Sequence, residues 1–310
     1  MRTLVTGGAG FIGSHVVDRY LQAGHDVVVV DDLSTGRRDN LNPNARFHEV
    51  DICTDAFDEV FQQERPDVVC HLAAQINVTR SVEEPVLDAK VNVLGLIRLL
   101  QLAVANETKR IIFSSTGGAI YGAFKDFPAT EATPPEPLSP YAVSKFAGEE
   151  YLRMYTRMYG LTHVILRYTN VFGPRQVAHG ECGVCAVLTE LMMQGKQPTL
   201  YGFGEPIRDY VYVGDVAEAN LLALDAGDNE CLNICSGRPT TVVEVFEAVK
   251  EAIGFDQEPL LKPLRPGEVE KSLADNTRAR SVLGWEPRVG LREGLAETVK
   301  AFRGKKGPSA

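Results

Sequence analysis

The hydrophobic and polar positions of the chain form short apolar runs that alternate with amphipathic stretches of helical spacing. Short apolar strands that alternate with helices are typical of a parallel sheet covered by helices on both faces. The sequence therefore predicts an α/β fold, a Rossmann-type doubly wound sheet. The predicted strands cover residues 2–6, 26–30, 46–51, 67–72, 110–115 and 162–168, and the predicted helices cover 11–23, 54–64, 85–105, 140–159, 242–253 and 291–302.

The pattern changes after residue 170 to loops, short helices and strands that contain proline. A chain of 310 residues is large for a single core, and with 44% of hydrophobic residues it can bury a core. We therefore expect a large domain over residues 1–170, to which residues 211–238 return. A smaller α/β domain is expected over residues 171–310.

A glycine-rich turn, TGGAGFIGSH, lies between the first predicted strand and the first predicted helix. Gly8, Gly10 and Gly13 match G-x-G-x-x-G, and Gly7, Gly10 and Gly13 match the variant G-x-x-G-x-x-G. Glycines let the backbone approach a pyrophosphate, and a helix N-terminus presents free N–H groups and a positive dipole end. In this context the turn predicts a dinucleotide site, with a simple glycine turn as the alternative.

The second predicted strand ends in Asp31 and Asp32. A carboxylate at this strand tip can accept hydrogen bonds from both adenosine ribose hydroxyls, and it repels a 2′-phosphate. The position of Asp31 therefore favours NAD over NADP. Arg37 and Arg38 follow closely and weaken this inference, because they could bind a 2′-phosphate.

A helix is predicted to begin after Ser139 and to end at Gly160. It carries Tyr141 and Lys145, which lie four residues apart and therefore share a face. An ammonium beside a phenol stabilises the phenolate and lowers a pKa that is about 10 in water, so Tyr141 is a candidate acid and base. The alternative is an ordinary amphipathic helix with a surface lysine. Thr116, just after the strand RIIFSS, adds a hydroxyl to this predicted catalytic group.

The charge balance is acidic, with 32 Lys and Arg against 41 Asp and Glu. No basic run interleaved with aromatic residues occurs, so we expect no nucleic-acid partner. The N-terminus leads directly into a strand, and no run of about 18 apolar residues follows. We therefore expect a soluble, cytoplasmic protein without membrane association.

Six cysteines are too few for a disulfide scaffold in a chain of this length. Cys182 and Cys185 form a C-x-x-C pair, and Cys231 and Cys235 lie four apart, so a four-thiolate zinc site is one hypothesis. The second pair lies in an apolar strand pattern, where small buried thiols are common. We therefore predict no metal and leave open any role for Cys182 and Cys185.

Eight motifs follow one another along nearly the whole chain: TGGAGFIGSH, a strand-tip Asp31, HLAAQ, SSTGGAIYG, Tyr-x-x-x-Lys, LRYTNVFGPRQ, RDYVYVGDV and RPGE. Together they resemble the extended short-chain dehydrogenase/reductase superfamily, and within it the UDP-galactose (UDP-glucose) 4-epimerases. The resemblance implies that Tyr141 takes the 4-hydroxyl proton of the sugar while hydride passes from C4 to NAD. It implies that Lys145 lowers the pKa of Tyr141 and holds the nicotinamide ribose, and that Thr116 hydrogen-bonds the reacting oxygen.

The resemblance also implies contacts with a UDP-sugar substrate. Asn170, Arg208 and Arg265 match positions that contact the diphosphate or the uridine, and Glu268 matches a carboxylate that meets the uridine ribose. Ser272 matches a gate position that limits the substituent at C2 of the sugar. Its small side chain predicts room for N-acetylated sugars.

Cofactor contacts are expected in the glycine turn, at the carboxyl ends of the strands and beside the catalytic pair. His71, which precedes HLAAQ, is interpreted as a structural histidine. The expected cofactor-binding residues are Gly7, Gly10, Phe11, Ile12, Gly13, Asp31, Asp32, Leu33, Ser34, Thr35, Gly36, Asp51, Ile52, Leu72, Ala73, Ala74, Gln75, Asn92, Ser114, Tyr141 and Lys145.

Two glycines, Gly117 and Gly118, follow Thr116 where related 4,6-dehydratases carry an Asp-Glu pair and related decarboxylases carry a nearby glutamate. Dehydration lacks its chemistry without an acid to protonate the leaving hydroxyl, so the sequence favours epimerisation. A UDP-glucuronate 4-epimerase, or another short-chain dehydrogenase that modifies nucleotide sugars, stays an alternative. A noncatalytic dinucleotide-sensing protein is a further one, although it would not need the Tyr, Lys and Thr group. By resemblance we expect a homodimer that pairs the helices near 85–105 and 140–159.

Overall fold

A computed structural model of the chain describes residues 1–122, 124, 126–177, 183–265 and 269–304. Strands and helices alternate through its N-terminal half, as the hydrophobic pattern predicts. The strands are β1 (Arg2–Thr6), β2 (Asp26–Asp31), β3 (Arg46–Glu49), β4 (Val68–His71), β5 (Arg110–Thr116), β6 (Thr162–Tyr168), β7 (Asn170–Phe172), β8 (Thr199–Tyr201), β9 (Ile207–Arg208), β10 (Tyr210–Tyr212), β11 (Glu230–Ile234), β12 (Thr240–Thr241) and β13 (Leu260–Lys262).

The helices are α1 (Phe11–Gln22), α2 (Asp55–Glu64), α3 (Val78–Glu83), α4 (Pro85–Ala89), α5 (Gly95–Ala105), α6 (Pro140–Tyr159), α7 (Val184–Met193), α8 (Val213–Leu222), α9 (Val242–Ile253), α10 (Thr277–Leu283) and α11 (Leu291–Gly304). A π-helix, Lys90–Leu94, joins α4 to α5. Among the described residues, no helix is both long and apolar enough to span a membrane.

Within the described part of the chain, one parallel sheet contains seven strands in the order β11-β6-β5-β4-β1-β2-β3. The four valines of β2 explain why this strand needs cover on both faces. Val27 and Val29 pack in the apolar cluster on one face, and Val28 and Val30 pack in the cluster on the other. The predicted doubly wound α/β fold is confirmed. The strand order reverses between β1 and β4. In folds of this kind, ligands bind at the carboxyl ends of the strands at such a point.

The segments from β7 onward build small sheets and, in part, a separate core. β8 pairs with β13, and β9 pairs with β12. Phe172, Leu200, Phe246 and Leu295 are buried together in a cluster of their own. β11 returns to the large sheet and pairs in parallel with β6. The predicted domain limits remain predictions: residues 1–170 with 211–238 for the large domain, and residues 171–310 for the smaller one.

The helix α6 has the ends that its sequence predicts. The Ser139 hydroxyl accepts a hydrogen bond from the Ala142 N–H at 3.2 Å, and Pro140 occupies the first helical position. Gly160 ends the helix with a φ of 71°, in the left-handed region that favours glycine. The twenty residues between these caps hold the predicted catalytic pair.

The structure is helical over residues 85–105, as predicted, and the middle of this helix is a π-helix that the sequence pattern does not indicate. Pro85 begins α4, and the π-helix then separates α4 from α5. A π turn contains one more residue than an α turn and so changes which side chains face inward. Asn92, inside the π-helix, is buried, whereas Leu94 is exposed.

Candidate active site

Lys145 lies deep between α6 and β5, with only 3% of its surface exposed. Its Nζ donates a hydrogen bond to the Ser114 carbonyl oxygen at 2.9 Å and lies 5.0 Å from the centre of the Phe113 ring. Burial lowers the pKa of Lys145 to about 8, and the charge of Asp88 acts in the opposite direction. A lysine with this pKa can change its charge near neutral pH.

Tyr141 occupies the first turn of α6, one turn before Lys145. Its carbonyl oxygen accepts a hydrogen bond from the Ser144 hydroxyl at 2.9 Å, and its own side chain is half-buried. The bond between Lys145 and Ser114 ties this end of α6 to the strand that ends at Thr116. The structure therefore brings the elements that carry Tyr141, Lys145 and Thr116 to one edge of the sheet.

Thr116 is the last residue of β5, and its Oγ1 accepts a hydrogen bond from the Ala119 N–H at 3.2 Å. Gly117 and Gly118 both donate their N–H groups to the Tyr168 carbonyl oxygen, at 2.7 and 3.3 Å. These bonds turn the chain at the end of the strand. Neither residue at this turn supplies an acid.

The glycine turn between β1 and α1 is packed too tightly for side chains. A Cβ added to Gly13 would lie 2.1 Å from the Gly7 carbonyl oxygen, and one added to Gly7 would lie 2.7 Å from the Ala73 nitrogen. Gly7 also has a φ of 72°. Gly10 is the N-cap of α1 and has no side chain with which to cover the helix N-terminus. This geometry fits a dinucleotide whose pyrophosphate lies on the turn.

Asp31 connects the glycine turn to the loop after β2. Its two carboxylate oxygens accept hydrogen bonds from the N–H groups of Ala9 and Leu33, each at 2.9 Å. Burial raises the pKa of Asp31. A carboxylate has about four acceptor positions, so two backbone bonds leave capacity for ribose hydroxyls. A Cβ on Gly36 would lie 2.5 Å from the same carboxylate, which explains the glycine there.

The remaining predicted cofactor residues lie where strands or the glycine turn end. Asp32 and Asp51 are exposed, and each caps the turn that follows it by accepting a backbone N–H two residues on, from Ser34 and from Cys53. Ile52 is buried in the core beside Gly95. The others occupy the start of α1 (Phe11, Ile12), the loop after β2 (Leu33, Ser34, Thr35) and the segment after β4 (Leu72, Ala73, Ala74, Gln75).

Asn92 reaches from the π-helix to the segment after β4. Its Oδ1 accepts the Gln75 N–H at 2.8 Å, and its Nδ2 donates to the Gln75 carbonyl oxygen at 2.9 Å. A side-chain amide thus pairs with the main chain as a neighbouring strand would. Asn92 therefore shapes the backbone of the predicted cofactor segment.

His71 is buried in the sheet and stacks on the Phe113 ring with centroids 6.0 Å apart. Its Nδ1 lies 2.8 Å from the Thr6 hydroxyl, which also accepts the Ala73 N–H. Burial lowers the pKa of His71 to about 3, and the nearby Lys145 charge adds to this effect. A neutral imidazole in this position suits the structural role that the sequence suggests.

The predicted substrate residues lie across the small sheets of the C-terminal half. Asn170 donates its Nδ2 to the Asp209 carbonyl oxygen at 3.1 Å, and Arg208 donates to the Val269 carbonyl oxygen at 2.6 Å. Arg265 lies over the Tyr201 ring, 3.8 Å from its centre. Ser272 donates its N–H to the Ile207 carbonyl oxygen at 3.0 Å, which places it beside Arg208. Glu268 lies outside the described residues.

Sequence reasoning missed three buried carboxylates near this site. Asp209 accepts hydrogen bonds from the Ser236 and Gly237 N–H groups, at 2.7 and 2.9 Å, and burial raises its pKa. Glu149 binds Arg167 through both carboxylate oxygens, at 2.8 and 2.6 Å. Asp88 is the third. Glu149 is followed by Glu150 and Asp209 is preceded by Arg208, so the sequence does not distinguish these buried carboxylates from surface acids.

The cysteines occupy separate places in the fold. Cys185 packs in the C-terminal core cluster, and burial raises the pKa of its thiol. Cys231 packs against the large sheet, and the Cys235 thiol donates to the Ala274 carbonyl oxygen at 3.3 Å. Cys182 lies outside the described residues. In the described ranges, no group of three or more His, Cys, Asp or Glu side chains is placed to hold a metal ion.

Comparisons with known proteins show the family to which the chain belongs. The model of the NAD dependent epimerase/dehydratase family matches residues 3–235, and the chain belongs to that family. The UDP-glucose 4-epimerase of Mycolicibacterium smegmatis is 44% identical, over 98% of this chain and 99% of its own. The UDP-glucose 4-epimerase of Thermotoga maritima, whose structure was solved with UDP-glucose, is 52% identical and has a TM-score of 0.95. The match covers 98% of this chain and 99% of that one. The UDP-glucose 4-epimerase of Thermus thermophilus, whose structure was solved with NAD, is 46% identical and has a TM-score of 0.93. The match covers 99% of this chain and 100% of that one.

Proposed function

We propose that this protein is an NAD-dependent UDP-glucose 4-epimerase, which interconverts UDP-glucose and UDP-galactose through a transient 4-keto sugar. The observation that carries the proposal is Lys145, buried against the Ser114 carbonyl one helical turn from Tyr141. The likeness to solved UDP-glucose 4-epimerases over nearly the whole chain supports the substrate.

In this proposal Tyr141 takes the proton of the sugar 4-hydroxyl, and Thr116 hydrogen-bonds the same oxygen. Bound NAD supplies a reversible acceptor for the hydride at C4. Lys145 stabilises the phenolate of Tyr141, since an ammonium nearby favours the charged form. After the 4-keto sugar turns over in the site, the hydride returns to the opposite face of C4, and Tyr141 returns its proton to the 4-oxygen. Tyr141 thus acts as base and then as acid in one cycle.

The sugar must rotate in the site while the nucleotide attached to it stays bound, so the nucleotide should supply most of the binding energy. We assign Arg208 and Arg265 to the diphosphate or uridine, because a planar guanidinium binds phosphate oxygens through paired donors. Asn170 and Glu268 complete the proposed contacts. Tyr201, which stacks under Arg265, holds that guanidinium in place.

Product analysis tests the proposal. Purified protein is incubated separately with UDP-glucose and UDP-glucuronate, and the product sugars are separated while the bound nucleotide is identified. We expect UDP-galactose from UDP-glucose, with NAD as the bound cofactor. Conversion of UDP-glucuronate alone would move the assignment to a glucuronate epimerase. Loss of water or carbon dioxide would contradict epimerisation.

The half-buried Ser272 favours activity on UDP-GlcNAc and UDP-GalNAc as a second function. Its main chain is fixed beside Arg208 through the bond to Ile207, so a larger side chain there changes the space at the proposed gate. Ser272→Tyr is expected to lower kcat/KM for the N-acetylated pair at least about tenfold and to spare the UDP-glucose pair. Matched assays on both pairs measure this. An equal loss on both would refute the gate, and Ser281→Tyr, on α10, is the control.

We also propose that the protein is a homodimer. The outer face of α4, the π-helix and α6 exposes Val86, Leu94 and Val143, with 81% of Val86 exposed. A shallow apolar groove lies along the same face, lined by Pro85, Val86, Ala89, Lys90, Val93 and Leu94. An exposed apolar surface of this kind marks an association site. The cytoplasmic location stays a prediction.

A charge placed in this face should separate the subunits. We expect Val86→Glu to shift the protein from dimer to monomer, because a carboxylate in an apolar interface loses its hydration without a partner. Light scattering coupled to size exclusion measures the mass. Leu261→Glu, on β13, introduces the same charge at another exposed apolar position and should remain dimeric. A monomeric wild type, or a dimeric Val86→Glu, would contradict the proposal.

A further inference from the structure

Asp88 is a carboxylate enclosed by protein, with 1% of its surface exposed. It lies on α4, which packs against α6. Its Oδ2 accepts hydrogen bonds from Gln75 Nε2 at 3.0 Å and from Asn92 Nδ2 at 3.1 Å. Both donors are neutral amides. A buried carboxylate whose donors, among the described residues, are neutral amides is stabilised by a cation nearby that offsets its lost hydration.

The cation on the neighbouring helix is Lys145. Its Nζ has one described hydrogen bond, to the Ser114 carbonyl, so its partners there are a carbonyl dipole and the Phe113 ring. Among the described residues, the titratable groups near Lys145 include Asp88 on α4, His71 on β4 and, on its own helix, Tyr141. Burial holds His71 neutral, so Asp88 is the opposing charge on a neighbouring element while the Tyr141 phenol is protonated.

A chain of hydrogen bonds also joins Asp88 to the catalytic helix. Asn92 Nδ2 lies 3.1 Å from the Ser144 hydroxyl, which donates to the Tyr141 carbonyl oxygen at 2.9 Å. The same Asn92 amide pairs with the main chain of Gln75, in the predicted cofactor segment. Asp88 thus contacts the two side chains that connect the cofactor segment, the π-helix and the first turn of α6.

We propose that Asp88 is a positioning residue that acts as the counter-charge of Lys145 and fixes Asn92 against Gln75. The proposal rests on the proposed function only for its effect on turnover. The opposing charge keeps Lys145 in its ammonium form despite burial, and the ammonium is the form that stabilises the Tyr141 phenolate. Asp88 itself touches neither the reacting atoms nor, in the proposed arrangement, the sugar.

Asp88→Asn tests the proposal, because it removes the charge while keeping the shape and an acceptor oxygen. The ionisation of Lys145 is followed in the NAD-bound protein by NMR of 13Cε-labelled lysine, with the signal assigned by its loss in Lys145→Arg. Without the carboxylate the ammonium is less favoured, so the titration midpoint of Lys145 should fall by about one pH unit. The alkaline limb of the kcat profile should move to lower pH by the same amount.

The control is Glu83→Gln, which removes an equal charge from an exposed position close in sequence to Asp88. It should leave the Lys145 midpoint unchanged. Gln75→Met removes a donor to Asp88 but keeps the charge, so it should lower the melting temperature without moving the midpoint. Asp88→Ser serves as a second charge-free variant if Asp88→Asn does not fold.

The outcomes separate this proposal from the proposed function. A lower Lys145 midpoint in the charge-free variants supports the counter-charge, even if the wild type turns over no UDP-sugar. An unchanged midpoint in a folded, charge-free variant overturns it, even if the wild type is an active epimerase. A midpoint that moves equally in Glu83→Gln would also overturn it, because the effect would then be one of net charge.

Discussion

Tyr141→Phe is expected to lower kcat by about 10²- to 10⁴-fold while the protein keeps its NAD. The change deletes one oxygen atom, the proposed acceptor of the sugar 4-hydroxyl proton. Lys145 and its bond to Ser114 stay in place, because neither requires the phenol oxygen. The ring still fills its space in the first turn of α6, so the fold and the cofactor site should persist.

The measurement compares initial rates of UDP-galactose formation with the NAD released from denatured protein. Tyr159→Phe is the matched control, since Tyr159 ends the same helix and is exposed. It should retain wild-type activity. Unchanged turnover in Tyr141→Phe would remove Tyr141 from the mechanism, and loss of NAD along with turnover would show that Tyr141 acts through the cofactor site instead.

Gly13→Ala is expected to weaken NAD binding by about 10²-fold and thereby to abolish activity in the purified protein. The added methyl group would lie 2.1 Å from the Gly7 carbonyl oxygen, which is backbone and cannot move aside as a side chain could. Overpacking of this kind costs about 3 kcal/mol, and each 1.4 kcal/mol is about tenfold in affinity. The turn must open to accept the methyl group, which displaces the N–H groups at the start of α1.

Bound NAD is quantified after denaturation of the purified variant, and affinity is measured by titration with added NAD. Gly290→Ala is the control, because an added Cβ there meets no atom within 4 Å and its φ lies outside the left-handed region. That variant should keep its NAD. A Gly13→Ala protein with wild-type NAD content would contradict the assignment of the glycine turn as the pyrophosphate site.

The sequence allows the large sheet to be predicted because its signals are local. The valine run of β2 requires burial on both faces, and the structure shows this. The Ser139 cap and the Gly160 stop define α6 within a few residues of chain. The parallel strand order then brings the ends of β1, β2, β4 and β5 to one edge, so most of the predicted site follows from strand ends alone.

The features that sequence reasoning missed depend on contacts between distant residues. The π-helix exists where Asn92 bonds the main chain of Gln75, and nothing in the helical spacing of residues 85–105 indicates that bond. Asp88 and Asp209 look like surface acids until the fold encloses them. The stacking of Arg265 on Tyr201 likewise depends on the approach of the segment after β13 to the end of β8. Such contacts depend on the tertiary packing, which local periodicity does not encode.

In the proposed reaction, hydride leaves C4 of the sugar and returns to the same carbon. The most direct measurement uses UDP-glucose deuterated at C4, incubated with the purified NAD-bound protein in ordinary water. We predict UDP-galactose that retains the deuterium at C4, because the hydride is held within the closed cycle and never exchanges with solvent. Replacement of the deuterium by solvent hydrogen, or the absence of UDP-galactose, would contradict the account.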